Sequence, residues 1–328
     1  MTLPPCRPGQ NFVSVSPIDG GSITLPERCF VAPSDPDASS TVPSMAFLIT
    51  HPGLKKTGSD QHASSKPGTR IMFDLGLRSH LGRYIPAAQQ HLNQGRTPYR
   101  LGPGVAAHLA AGGLCAASDI DMVILSHVHY DHHGDPEDYG ASLFIVGKGS
   151  LDLLERGVPT VASHQNFDPK LLSGRRTVEL TSPYRGDVEF RIEDGTRFKS
   201  SWAPLGPFPA ALDIFSDGSV FVIDAPGHLT GHLNLLCRTG ADTWVYLGGD
   251  TCHDMRLLTG EREIGTWDDG HGHCICIHLD KAAAELSIQR VRDLLSLGDR
   301  TNASVDVVMA HDHEWHDRNK ERFYPNCL

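Results

Sequence analysis

Apolar residues along this chain gather in short blocks set off by polar or glycine-rich stretches, a pattern that predicts buried strands more than long amphipathic helices. The block Met45-Ala-Phe-Leu-Ile-Thr50 predicts a strand, and Arg70-Ile-Met-Phe-Asp-Leu-Gly76 its partner. Between them, residues 53–69 are polar and rich in Gly, Ser and Lys, which predicts an exposed hairpin loop. Val105-Ala-Ala-His-Leu-Ala-Ala111, stopped by Gly112-Gly113, predicts a short helix, and 120–125 a buried strand. The second half repeats this grammar, with strands expected over 188–192, 220–223, 233–237 and 244–247, a helix over about 281–297 and a last strand over 305–309. Strands and helices in both halves predict an α/β layered protein whose functional loops share one sheet edge. No linker divides the chain, so 1–328 is expected to form a single domain. Residues 1–44 read as an N-terminal extension. The segment 77–115, with Tyr84, Pro86 and Tyr99, reads as either a lid over the pocket or an ordinary insertion.

Composition narrows the partners. A hydrophobic content of 39% with 21% charged residues fits a globular chain, and 29 basic against 39 acidic residues give a formal charge of −10. That charge repels a phosphate backbone, so nucleic acid is a poor partner. The start lacks the basic and apolar blocks of a secretory signal, and no apolar run approaches membrane-spanning length. A cytoplasmic protein without a membrane partner is expected, one in which most of the eight scattered cysteines are reduced.

The chemistry lies in Leu125-Ser-His-Val-His-Tyr-Asp-His-His-Gly134, directly after the buried-strand block. Alternation along a strand places His127 and His129 on one side, and the following turn brings round Asp131 and His132. Imidazoles with a carboxylate suit zinc or another borderline first-row metal better than calcium or magnesium. Further candidates stand near later strand ends: His228 and His232 in Asp224-Ala-Pro-Gly-His-Leu-Thr-Gly-His232, Asp250 after Leu247-Gly-Gly, and His311 in Ala310-His-Asp-His313.

With H-x-H-x-D-H at 127–132, Gly231-His232, Asp250, His311 and the strand end Phe73-Asp-Leu-Gly76, the sequence resembles the metallo-β-lactamase superfamily over roughly 45–317. It is most similar to the branch of N-acyl homoserine lactonases. The resemblance implies a four-layer αββα sandwich with the metal site at one edge. It implies two Zn2+, one held by His127, His129 and His232, the other by Asp131, His132 and His311, with Asp250 bridging. A hydroxide shared by such a pair is the implied nucleophile. His228 is expected to orient a ligand, His311 is favoured over His313, and His133 and His316 are read as surface. Asp74 is read either as an acceptor for a ligand histidine or as a strand-end cap.

The implied reaction is hydrolysis of a cyclic ester or amide, a lactonase or lactamase, on a small-molecule substrate. A γ-lactamase acting on small heterocyclic xenobiotics or defence compounds is the alternative to a lactonase. Asp131 and Asp250 are the expected proton carriers, with Tyr130 or His253 donating to the substrate oxygen. His253 stands where those lactonases commonly have tyrosine, which loosens the link to homoserine lactones. The open alternatives are a thioesterase or glyoxalase-II-like hydrolase and a non-catalytic metal-binding protein. The segment Gly270-His-Gly-His-Cys274-Ile-Cys276-Ile-His278 concentrates His271, His273, Cys274 and Cys276; its His and Cys density reads either as a structural zinc site, though without an established spacing, or as a loop at the site mouth leading into the helix that starts near Lys281. The apolar and aromatic loops permit a homodimer.

Overall fold

A computed structural model describes residues 2–53, 68–158, 166–183, 186–268, 270 and 272–328. The expected hairpin loop over 53–69 and His271 fall largely or wholly outside these residues. Two sheets dominate. In the first, the strands run in the order Ser14–Pro26, Ser39–His51, Thr69–Phe73, Met122–Ile124, Leu143–Val146 and Arg176–Glu179. Its first two pairings are antiparallel and the remaining three parallel. In the second, the order is Ser304–Val308, Thr243–Leu247, Leu233–Arg238, Val220–Asp224, Phe208–Asp213, Arg197–Leu205 and Asp187–Arg191. Only its pairing of Thr243–Leu247 with Ser304–Val308 is parallel.

The short apolar blocks are explained by burial on both sheet faces. Met122, Ile124 and Ile145 of the first sheet pack with Val222, Leu235 and Leu247 of the second, forming the layer between the sheets. Val123 and Phe144 point the other way and meet Leu109 and Leu153 of outer helices. On the opposite outside, Ile223, Leu236 and Tyr246 pack against Ile288, Val291 and Leu294 of the Lys281–Thr301 helix. The order is helix, sheet, sheet, helix, the four-layer sandwich. The long helix starts where the Asp280 side chain accepts from the Ala283 amide at 3.0 Å, a cap worth about 1 kcal/mol. Among the described residues, no helix is long and apolar enough to cross a membrane.

Residues 1–44 are not an extension appended to the fold. Ser14–Pro26 pairs with Ser39–His51 along most of its length, with a register shift between Asp19 and Ser22. The 77–115 segment contributes core: Tyr84, Leu92 and Leu109 are buried, and Ser22 and Arg100 form an isolated bridge.

Candidate metal centre

The Met122–Ile124 strand ends before the histidines, so His127 and His129 lie on an irregular loop and not on the expected strand. Their rings still meet, with His127 Nε2 2.9 Å from His129 Nδ1. The loop is shaped from the neighbouring strand end. Asp74 has a φ of 58°, an uncommon backbone state for a residue other than glycine. Its carboxylate accepts from the Ser126 amide at 2.6 Å and the Ser126 hydroxyl at 2.7 Å, and lies 2.9 Å from His132 Nδ1. The amides of His132 and His133 both donate to the His129 carbonyl, and this turn carries Asp131 and His132 to the site.

Three other loops close on the same point. The His228 loop follows Val220–Asp224, and Gly227, at φ 134°, seats it against the long helix where a side chain would strike Ala284. Gly249, at φ 46°, turns the chain after Thr243–Leu247; a Cβ there would lie 3.0 Å from His232 Nε2. Asp250 follows. His311 follows Ser304–Val308, its Nδ1 fixed 2.7 Å from the Pro43 carbonyl oxygen.

Asp250 is the hub. One of its oxygens lies 3.1 Å from His132 Nε2 and 3.3 Å from His311 Nε2; the other lies 2.9 Å from His253 Nε2 and 3.2 Å from His228 Nε2. Donor atoms close enough to share an ion occur in His127, His129, His228 and Asp250, and again in Asp131, His132 and His311. His228, and not the expected His232, completes the first group. His232 is nonetheless posed as a ligand would be. Its Nδ1 lies 3.2 Å from the Ala225 carbonyl oxygen, and its Nε2 faces inward, where it accepts from the Asp250 amide at 3.0 Å.

Burial and the neighbouring carboxylates divide the rings of this cluster. Burial drives His127 and His228 well below the ordinary imidazole pKa and brings His232 to about 4, so these rings carry lone pairs. Burial also opposes charge on His132, but Asp250 and Asp74 carry its pKa well above the usual value. Burial alone would raise Asp250, yet the imidazoles of His132, His253 and His311 hold its carboxyl well below the ordinary range. His132 Nε2 and the nearby Asp250 Oδ1 are buried and make no hydrogen bond, although buried polar atoms are normally satisfied. A cluster of imidazoles and carboxylates with such atoms fits divalent first-row ions.

Several expectations change. His253 directs Nε2 at Asp250 while lining the cleft. Tyr130 lines the cleft, but its hydroxyl faces the Arg96 side chain and its ring packs edge-on against His91. His133 is buried, not surface: its Nδ1 donates to the Gly134 carbonyl at 2.9 Å, and burial takes its pKa to about 3. His316 is half-buried, with its ring against Phe323. His313 is exposed at the start of the His313–Arg318 helix. Cys274 is exposed and pairs within a two-stranded ribbon, whereas His278, not singled out from the sequence, is buried against His228 and His253. A cavity of about 530 Å³ opens from His253 and His311. Leu25, Phe30, Val42 and Met255 give it an apolar side. Glu27, Asp254, Glu261, Asp312 and Glu314, against Arg256 alone among Lys and Arg, give it an acidic one.

No family model matches the chain. Over 269 residues it is 30% identical to the cytochrome P450 monooxygenase mpaDE of Penicillium roqueforti, covering 78% of this chain and 28% of that protein. Over 187 residues it is 32% identical to the gamma-lactamase MBL2 of Gibberella moniliformis, covering 56% of this chain and 70% of that one. The chain spans only 28% to 37% of the length of the three mpaDE-type relatives. Among solved structures, an N-acyl homoserine lactone hydrolase with N-hexanoyl-L-homoserine at its catalytic metal centre superposes with a TM-score of 0.61. It is 16% identical, and the match covers 100% of both chains, which shows a shared fold.

Proposed function

The chain belongs to the metallo-β-lactamase superfamily, as its 31% identity over 75% of its length to the metallo-hydrolase mfmC of Annulohypoxylon moriforme shows, and from that premise we propose that it is a two-zinc hydrolase that opens a small cyclic ester or amide. The observation that carries this reading is Asp250. One oxygen faces His132 and His311, at 3.1 and 3.3 Å, and the other lies 3.7 Å from His127 Nε2, so the carboxylate stands between the two sets of imidazoles assigned below. We assign one ion to His127, His129 and His232 and the other to Asp131, His132 and His311, with Asp250 between. His232 is preferred over His228 because its Nδ1 is anchored on a backbone carbonyl, the arrangement His311 also shows. Bound there, two zinc ions supply acidified water and polarise a carbonyl.

The chain's own groups do the rest. Asp74 fixes the His132 ring and the loop that carries it. His253, bonded to Asp250, positions that carboxylate. In the reaction a water oxygen bonds to the carbonyl carbon, the ring C–O or C–N bond breaks, and the departing ring atom takes a proton. We assign that proton transfer to Asp131 or Asp250, which face the cleft beside Tyr130. The cavity's five carboxylates against one guanidinium favour uncharged rings with an apolar part over anionic carrier thioesters. Ring esters and ring amides both fit this description. The similarity to a gamma-lactamase supports including the amide.

The experiment is a panel on the zinc-loaded protein: an uncharged lactone, a lactam, a thioester and a phosphodiester. Ring opening of the lactone or the lactam is expected. Turnover of the thioester or the phosphodiester alone would overturn the assignment.

A further inference from the structure

His228, His253 and His278 form a second cluster of imidazoles, two of which face the Asp250 oxygen that His132 and His311 do not. His228 and His253 both direct Nε2 at the same Asp250 oxygen, at 3.2 and 2.9 Å. An ionised carboxylate only accepts, so in both rings Nε2 is the donor. Both Nδ1 atoms are buried without a hydrogen-bond partner. His278 is 3% exposed, and among the described residues neither of its ring nitrogens has a partner.

The three rings face one another, with centroids 5.0 Å apart for His228 and His253, 5.2 Å for His228 and His278, and 5.7 Å for His253 and His278. One nitrogen from each lies within 4.8 Å of the others. Each buried nitrogen left without a partner costs about 1–3 kcal/mol, so several such atoms in one cluster of rings point to an occupant. The supporting backbone is tied down: the Leu279 amide donates to the His228 carbonyl at 3.0 Å, and Cys276 Sγ donates to the His278 carbonyl at 3.0 Å.

We infer that His228, His253 and His278 bind a further zinc-class divalent ion, separate from the proposed pair and connected to it through Asp250. Nitrogens bound to one zinc at about 2.0–2.1 Å stand about 3.3 Å apart, so the rings close by roughly 1 Å on binding. Three imidazoles leave a fourth position for water. The site goes beyond the proposed function and does not require that a ring be hydrolysed. By tying two imidazoles that hold Asp250, the ion stiffens the shared carboxylate from behind.

The test is a zinc count by native mass spectrometry on the intact chain and on His278→Phe, with thermal melting of both. Three zinc ions in the wild type and two in a folded His278→Phe are expected. Two in the wild type, or three in the variant, would overturn the inference. Should the variant fail to fold, a zinc-edge anomalous map of the wild type decides. A peak about 2.0–2.1 Å from a His278 nitrogen supports the site; a water molecule there rejects it. Zinc at His278 with none at His132 and His311 would keep this inference and sink the two-zinc reading.

Discussion

Asp74 and His132, 58 positions apart in sequence, meet at 2.9 Å through a carboxylate that also holds both the amide and the hydroxyl of Ser126. One buried side chain thus sets the start of the histidine loop and the orientation of a ring within it. The uncommon positive φ of Asp74 is maintained by three bonds that only a short, doubly accepting side chain can make here.

Replacing that carboxylate is expected to loosen metal before it unfolds the chain. Asp74→Asn keeps the shape but offers one acceptor oxygen in place of two, so zinc affinity at the His132 side should fall about 10- to 100-fold. Competition with a chromogenic chelator measures this. Unchanged affinity would mean that the bond is only a cap.

His228 and His232 separate cleanly by substitution. His232→Ala is expected to lose the zinc beside His127 and His129, whereas His228→Ala keeps it. Zinc-edge anomalous maps of the two variants read the difference directly, and the opposite pattern would make His228 the ligand.

Much of this centre was legible in the sequence because its groups are either contiguous, as in 127–132, or stand just beyond apolar strand blocks, as do Asp250 and His311. The layered fold was legible for the same reason: strands buried on both faces leave uninterrupted apolar blocks. Ser14–Pro26 was hidden by Pro17, which breaks the strand pattern, and by Gly20 and Gly21, which lie at its register shift. Arg197–Leu205 was hidden because much of it is polar and exposed. His278 carried no motif, and its burial depends on how the chain packs beside the His228 loop. The direction of the His253 ring was equally unreadable, since its partner Asp250 sits three residues away on a loop whose turn depends on Gly249.

Charge on the substrate should matter more than ring chemistry alone. The acidic side of the cavity predicts that adding a carboxylate to an otherwise equal lactone lowers kcat/KM by about tenfold, roughly 1.4 kcal/mol. Glu261→Gln combined with Glu314→Gln should narrow that gap. A preference for the anionic substrate would contradict the reading of this wall.

Asp224, at the end of its strand, gives a pH test of the fold. Burial, opposed by Arg290, raises its pKa from 3.8 to about 6. The folded chain therefore holds an extra proton between about pH 4 and pH 6, and stability falls as pH rises through that window. Asp224→Asn is expected to stabilise the chain by about 2–3 kcal/mol at pH 8 and to have little effect at pH 4. Urea unfolding at the two pH values checks this; equal gains at both would remove the electrostatic explanation.

The most direct measurement strips the protein with a chelator, follows ring opening of an uncharged lactone and an uncharged lactam, and then restores zinc. An inert stripped protein is expected, with recovery on at least one ring when zinc returns and no recovery in His132→Ala. Activity that survives stripping, or a zinc-loaded wild type inert towards both rings, would contradict the proposed function.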